Sequence, residues 1–218
     1  MRRGIIFDVD GTILDSMIIW EHAGERYLEQ LGIEAEKGLG ERLFTMSMKE
    51  GAQYLKRTYG LLQSTEEIIG GINEVVTSFY REEAKPKEGV REFLEKQKEK
   101  GVKMTVATST DRFLIEEAFR RLDLEKYFGR IFTCSEVGVG KSEPTIFHEA
   151  SRFMGTTPEE TWVFEDGLYA IETAKKAGYH TVGIYDAASE KDQAEVRESV
   201  EVYLRDWKGA EDRLREKL

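Results

Sequence analysis

The chain has 218 residues, which is long for one ordinary domain and short for two, and this favours one large domain that carries an insert. Acidic residues outnumber basic ones by 42 to 32, so the formal net charge of -10 lacks the basic excess typical of nucleic-acid-binding proteins. A content of 11% aromatic residues and only three prolines exclude a disordered or proline-rich chain.

The N-terminal sequence and the cysteine content bear on the cellular compartment. Only a few apolar residues separate Arg3 from Asp8, which is too short a run for a signal peptide, and no stretch approaches membrane-spanning length. The single cysteine, Cys134, cannot form an internal disulfide, and its context predicts that it ends a buried strand. We therefore expect a cytoplasmic protein, a monomer or weak dimer, that binds neither membrane nor nucleic acid.

Short apolar runs alternate with helical patterns along most of the chain. The first run is Gly4–Phe7, and similar runs follow at residues 102–107, 131–133, 161–164 and 181–184, with a weaker one at 200–202. Apolar residues recur at helical spacing around residues 93–97, 114–122, 146–153 and 170–177. This alternation predicts an α/β fold with a doubly wound parallel sheet. The charge-rich tail, residues 206–218, is expected to be a solvated amphipathic helix.

Residues 17–83 interrupt the alternation. Their apolar residues recur at helical spacing, as in the stretch from Ile68 to Phe79, and several helices would bury these stripes against one another. The predicted organisation is a core of residues 1–16 and 84–218 and an all-helical domain of residues 17–83. The hinges are expected near Asp15-Ser16 and residues 84–86.

Polar residues follow the predicted strands at the edge where ligands bind in open parallel sheets. Four acids, three hydroxyl residues and one lysine converge there from separate segments. They are Asp8, Asp10, Thr108, Ser109, Thr110, Lys141, Glu165 and Asp166. Carboxylate oxygens suit Mg²⁺, and an aspartate held beside a cation and a lysine can attack phosphorus as a nucleophile. The set therefore predicts phosphoryl-transfer chemistry with Mg²⁺ as cofactor and a small phosphorylated metabolite as partner.

Four sequence motifs, spread over nearly the whole chain, resemble those of the haloacid dehalogenase superfamily in type and order. They begin with Ile5-Ile6-Phe7-Asp8-Val9-Asp10-Gly11-Thr12 and Val106-Ala107-Thr108-Ser109, and continue with Gly140-Lys141-Ser142-Glu143-Pro144 and Val163-Phe164-Glu165-Asp166-Gly167. An insert directly after the first motif is similar to the helical cap of the group that contains β-phosphoglucomutase and phosphoglycolate phosphatase. The resemblance implies a Rossmann-like core with this cap.

The resemblance also implies a role for each matching residue. Asp8 would be the nucleophile and a metal ligand, and Asp10 would be the general acid and base, adding its backbone carbonyl to the metal. Thr108, the backbone N–H of Ser109 and Lys141 would hold the phosphoryl oxygens. Asp166 would complete the metal site, with Glu165 acting directly or through water. The second aspartate, Asp10, favours phosphate over halide chemistry, because an alkoxide leaving group needs a proton.

Cap domains in this group close over the site and contact the substrate. The residues expected to contact the substrate in this chain are Trp20, Arg42, Met46, Lys49 and Arg112. The match to β-phosphoglucomutase is incomplete, because Trp20 replaces a histidine and Asp111-Arg112 stands where the mutase has donors for a second phosphate. We therefore expect a phosphatase that works through an aspartyl-phosphate, with a sugar phosphomutase or a non-catalytic binding protein as alternatives. Gly167 also replaces a serine that is common in the fourth motif.

The segment Gly138-Val139-Gly140-Lys141-Ser142 suggests a second interpretation, a phosphate-binding P-loop. That motif requires a glycine five residues before Gly140, where this chain has Ser135. The P-loop interpretation is therefore the weaker one.

Overall fold

A computed structural model of the protein describes residues 4–44 and 46–214. By its contacts the chain divides into two compact units, Met1–Asp15 with Lys85–Leu218, and Ser16–Ala84. Residues 1–3, on which the expectation about a signal peptide partly rests, lie outside the described residues. Among the helices that are described, none combines the length and the apolar composition needed to cross a membrane.

The first unit is built on a six-stranded parallel sheet. Its strands are β1 (Gly4–Phe7), β4 (Lys103–Thr108), β5 (Ile131–Thr133), β6 (Thr161–Glu165), β7 (His180–Ile184) and β8 (Val202–Leu204). Their order is β5-β4-β1-β6-β7-β8, so the chain runs outward from β1 in one direction and then returns to its other side. This reversal creates a switch point beside β1, where parallel sheets bind ligands. The α/β doubly wound fold is confirmed.

Two further strands, β2 (Leu14–Asp15) and β3 (Lys85–Pro86), form a small antiparallel pair where the chain leaves and re-enters this unit. The helices of the unit are α5 (Val90–Glu99), α6 (Arg112–Arg121), α7 (Cys134–Val137), α8 (Thr145–Met154), α9 (Leu168–Lys176), α10 (Gln193–Ser199) and α11 (Ala210–Leu214). Short 3₁₀ helices occupy Glu125–Tyr127, Pro158–Glu160 and Ala187–Asp192.

Both faces of the sheet are covered, because alternate residues of β1 point to opposite sides. Ile6 packs on one side into a buried cluster with Phe147 of α8 and Ala174 of α9. Phe7 meets the ring of Phe93 from α5 on the other side, at a centroid distance of 6.3 Å. A strand buried on both faces must be apolar throughout, which is why β1 reads as a continuous apolar run.

Three expectations about secondary structure are corrected. Cys134 does not end a buried strand: β5 ends at Thr133, whose hydroxyl caps α7, and Cys134 is the half-buried first residue of that helix. The last strand is 202–204 instead of 200–202, because Val200 still bonds back to the end of α10. The tail helix covers only 210–214 of the described residues, and it buries Leu214. Residues 215–218 of the predicted helix lie outside the described part.

The regular elements in the described residues of the second unit, Ser16–Ala84, are all helices. It contains α1 (Met17–Gln30), α2 (Leu39–Phe44), α3 (Met48–Tyr59) and α4 (Thr65–Ser78), which continues into a π-helical turn at Phe79–Glu83. Residues on the predicted stripes, such as Leu28, Leu55 and Ile72, form its buried interior. Leu31 and Met48 are exceptions, being 39% and 41% exposed, because each lies at a helix end.

Serine caps stabilise two helices of this unit. Ser64 Oγ accepts a hydrogen bond of 3.1 Å from the Glu67 amide, and the Glu67 carboxylate accepts one of 2.7 Å from the Ser64 amide. Ser64→Ala is expected to reduce the free energy of unfolding by about 1 kcal/mol, measured by urea denaturation. Ser78→Ala, at a position in α4 without a side-chain cap bond, is the matched control. Equal effects of the two substitutions would contradict the capping role.

Candidate active site

The loop after β1 carries the first two acids. Asp8 is 7% exposed, and its amide is anchored to the Phe164 carbonyl of β6 at 2.9 Å. The Val9 carbonyl then accepts the amides of Ile13 and Leu14, which folds the loop back tightly. Glycine is required at position 11, because its φ is +79° and a Cβ there would lie 2.5 Å from Asp166 Oδ2.

Lys141 lies between two carboxylates. Its Nζ bonds to Asp8 Oδ1 and, at 2.6 Å, to Glu165 Oε1, and the residue is only 3% exposed. Burial by itself would lower the pKa of this amine, but the two carboxylates outweigh burial and raise it. The side chain is therefore a fixed ammonium that can also hold an incoming anion.

The acids of the cluster outnumber its one cation. Burial raises the pKa of Asp8 to about 8, with repulsion from Glu165 adding to burial and Lys141 opposing it. The pKa values of Asp8 and Lys141 are both raised, because Lys141 faces two carboxylates whereas Asp8 faces one ammonium and another acid. Burial, with repulsion from Glu165 and Asp8, likewise raises the pKa of Asp166 well above its ordinary value.

The donor set of this cluster fits a divalent cation. Asp8, Glu165 and Asp166 are all buried, and each offers one carboxylate oxygen within 4.8 Å of the others. Hard oxygen ligands of this kind suit Mg²⁺, and a nearby double positive charge would favour the ionised forms of these carboxylates. The structure thus supports a buried acidic cluster that could hold a metal ion.

Both carboxylate oxygens of Glu165 accept hydrogen bonds from the protein. Its Oε2 accepts hydrogen bonds from the amides of Asp166 at 2.9 Å and Gly167 at 3.0 Å, while Oε1 accepts from Lys141. These bonds fix the loop after β6 and the ammonium of Lys141 together. The Glu165 carboxylate therefore orients both the Lys141 ammonium and the backbone that carries Asp166.

The three hydroxyl residues at the end of β4, Thr108 to Thr110, differ in exposure and in hydrogen bonding. Thr108 is buried, and its Oγ1 accepts the Thr110 amide at 3.1 Å, whereas Ser109 is exposed. Thr110 donates a 2.6 Å hydrogen bond to Asp10 Oδ2. Thr110 is one of the three hydroxyl residues predicted at this edge, but the motifs imply no role for it, and its position two residues after Thr108 was the available signal. The structure shows that Thr110 positions the side chain of Asp10.

Trp207 supports the loop after β1. Its ring stacks on Phe164 with a centroid distance of 5.6 Å and an interplanar angle of 8°. Its Nε1 donates a 3.2 Å hydrogen bond to the carbonyl of Thr12. No sequence motif links Trp207 to the loop, because the two residues lie 195 positions apart.

Arg112 was expected to contact the substrate, but its guanidinium is occupied. It bonds to both carboxylate oxygens of Glu136 at 2.5 and 2.6 Å, and to the Ile131 carbonyl at 2.8 Å. A further contact to Glu116 measures 3.3 Å. The side chain therefore ties α6 to β5 and α7 in this structure.

The other expected substrate residues lie in the helical unit. Trp20 Nε1 donates to the Tyr80 hydroxyl at 3.2 Å, and Lys49 is exposed near the start of α3. Arg42 bonds to the Tyr54 hydroxyl at 2.8 Å, and Met46 is half-buried. A contact of these four residues with a substrate stays a prediction.

The segment around Lys141 does not have P-loop geometry. Gly138 ends α7 in the left-handed conformation, and the next helix, α8, begins only at Thr145 after Pro144. Because Lys141 is also committed to two carboxylates, the P-loop interpretation is wrong.

Comparison with known proteins agrees with this geometry. A family model described as haloacid dehalogenase-like hydrolase matches residues 5–184. A phosphorylated carbohydrates phosphatase of Thermotoga maritima is 33% identical over 180 residues, covering 83% of each chain. A β-phosphoglucomutase of Bacillus subtilis is 25% identical over 195 residues, covering 84% of this chain and 83% of the relative.

Solved structures have the same fold. A Thermotoga maritima structure assigned to β-phosphoglucomutase superposes with a TM-score of 0.88 at 30% identity, covering all of both chains. The structure of CbbY from Rhodobacter sphaeroides in complex with phosphate gives a TM-score of 0.74 at 22% identity over 95% of each chain.

The chain belongs to the haloacid dehalogenase-like hydrolase family. It is an enzyme of the phosphoric monoester hydrolase type, with phosphomutase as the second possibility.

Proposed function

We propose that this protein is a Mg²⁺-dependent phosphatase that hydrolyses a small phosphorylated carbohydrate through an aspartyl-phosphate on Asp8. The observation that carries the proposal is the arrangement around Asp8. Its carboxylate lies buried at the switch point of the sheet and is bonded to Lys141, and a second acid, Asp10, follows two residues later. The choice of a carbohydrate rests on the Thermotoga maritima phosphatase.

In the first proposed step, a carboxylate oxygen of Asp8 attacks phosphorus and the bond to the ester oxygen breaks. Asp10 gives its proton to the leaving oxygen, which departs as the alcohol. In the second step, Asp10 takes a proton from water as the water attacks the phosphoryl group, which releases phosphate and restores Asp8. Thr110, bonded to Asp10 Oδ2, holds this acid in one orientation during both transfers.

Lys141, Thr108 and the Ser109 amide are proposed to hold the phosphoryl oxygens. Mg²⁺ would be held by Asp8, Asp166 and the backbone carbonyl of Asp10, with Glu165 acting directly or through water. When bound, the ion would neutralise charge on the phosphoryl oxygens. The helical unit is proposed to act as the cap domain, with Trp20 and Lys49 as candidate substrate contacts.

A phosphomutase is the second candidate, favoured by the likeness to β-phosphoglucomutases. A mutase must hold a bisphosphate in two orientations, which requires donors for a second phosphate. The pairing of Arg112 with Glu136 removes one such donor and supports simple hydrolysis.

The proposed function is tested with the purified protein and a panel of natural phosphomonoesters. We expect release of inorganic phosphate from sugar phosphates with Mg²⁺ and none with EDTA. Interconversion of hexose phosphates that needs priming by a bisphosphate would instead identify a mutase. Ligand binding without either activity would identify a non-catalytic member of the family.

Metal binding to the acidic cluster can be tested apart from activity through Asp166→Asn. Because the pKa of Asp166 is raised in the folded state, its ionised form destabilises the fold, and wild-type stability in EDTA should fall as pH rises through that pKa. The variant should lose the part of this pH dependence that comes from Asp166, while Asp8 keeps its own part, and it should be more stable than the wild type in EDTA at neutral pH. It should also lose the increase in Tm that Mg²⁺ produces in the wild type. An unchanged Mg²⁺ effect would contradict the assignment of Asp166.

A further inference from the structure

Tyr169 is an aromatic residue that belongs to none of the four sequence motifs. It is the second residue of α9, four positions after Glu165. It is 54% exposed, whereas most other large aromatic residues around the sheet are buried. An exposed aromatic side chain next to a cluster of catalytic acids is a candidate ligand contact.

The ring of Tyr169 lies against Gly167. A Cβ at position 167 would lie 3.3 Å from Cε1 and 3.7 Å from Cδ1 of the ring. The backbone of Gly167 has a φ of -84°, which any residue adopts, so its conformation does not require glycine. The absence of a side chain at 167 instead makes room for the ring.

The phenol of Tyr169 lies close enough to Glu165 and to Ser109, in the loop after β4, for both residues to affect its pKa. Burial raises the pKa of the phenol, with repulsion from Glu165 as the next cause, so the group stays neutral. The side chain thus lies beside the loop after β6 and near the loop after β4, and about half of it remains exposed.

We propose that Tyr169 is a specificity-determining residue whose exposed ring binds the carbohydrate part of the substrate. This inference rests on the proposed function. A phosphoryl group held at Ser109 and Lys141 brings its ester substituent beside the aromatic side chain that adjoins Ser109. The electron-rich face of a phenol ring attracts the C–H groups of a sugar ring, whereas it offers nothing comparable to free phosphate.

The test measures binding and does not depend on turnover. In an Asp8→Asn background with Mg²⁺, calorimetry compares the Kd values for glucose 6-phosphate and inorganic phosphate. Tyr169→Ala should weaken glucose 6-phosphate binding about tenfold and phosphate binding less than about twofold, as expected for the loss of one aromatic contact. Tyr169→Phe keeps the ring and should restore sugar-phosphate binding.

Two further variants separate a local contact from a general structural effect. Gly167→Ala should crowd the ring and weaken glucose 6-phosphate binding selectively, in the same direction as Tyr169→Ala. Phe153→Ala is the matched control, because Phe153 is 50% exposed on α8, near its C-terminal end and away from the acids. It should change neither Kd.

Equal weakening of both ligands by Tyr169→Ala, or no weakening, would overturn the inference. So would the failure of the parent protein to bind glucose 6-phosphate. Failure of the wild type to hydrolyse any phosphomonoester would instead defeat the proposed function, and it would leave this binding comparison intact.

Discussion

Asp8→Asn is expected to lower kcat for phosphomonoester hydrolysis by about 10⁴-fold or more, because an amide nitrogen cannot form the proposed acyl phosphate. The substitution keeps the shape of the side chain and an oxygen that can accept the Lys141 hydrogen bond. It also removes one negative charge from a buried acidic cluster. The variant should therefore be at least as stable as the wild type, and the loss should be chemical.

Phosphate release by the two proteins is measured with saturating substrate, together with their Tm values. Asp10→Asn provides the matched control, because it keeps the nucleophile and removes the acid and base. After an acid quench, this control should show the added mass of a phosphoryl group on the peptide that contains Asp8, and Asp8→Asn should not. Substantial turnover by Asp8→Asn would refute the assignment of the nucleophile.

Lys141→Met is expected to damage both activity and stability. Without the ammonium, Asp8 and Glu165 become buried acids with no positive partner, and breaking a buried pair in this way costs about 3 kcal/mol of unfolding free energy. The loss of a donor to the phosphoryl oxygens should lower kcat by about 10² to 10³-fold. Urea denaturation in EDTA and steady-state kinetics measure the two effects.

A second substitution separates these effects. Adding Glu165→Gln to Lys141→Met removes one unpaired acid, so it should recover part of the stability but none of the activity. A Lys141→Met protein as stable and as active as the wild type would show that the bonds to Asp8 and Glu165 contribute nothing.

The strands of the core could be predicted because their signal is local. A central parallel strand is buried on both faces, so Gly4–Phe7 is apolar at every position, and Asp8 marks its end. The weak last strand was misplaced by two residues, since its position depends on pairing of Val182 with Val202. Cys134 was misassigned for a similar reason, because the Thr133 cap starts a helix one residue earlier than the apolar run suggests.

Contacts between distant segments could not be predicted in this way. The hydrogen bond from Thr110 to Asp10 joins residues 100 positions apart, and nothing in either motif specifies it. Arg112 was predicted to contact the substrate, and its pairing with Glu136, which lies 24 residues further along the chain, could not be predicted from the sequence. Such pairings arise when strands β1, β4 and β5 align their ends.

The fold class, the family and the order of the four motifs could be predicted from the sequence, because each depends on local runs of residues and on their order along the chain. The tertiary structure alone decided which atoms of those motifs meet: Lys141 between Asp8 and Glu165, Thr110 on Asp10, and the Tyr169 ring in the space left by Gly167. The physical reason is that hydrogen bonds and charge pairing act over a few ångströms in space. Only the folded sheet brings its strand ends within that distance.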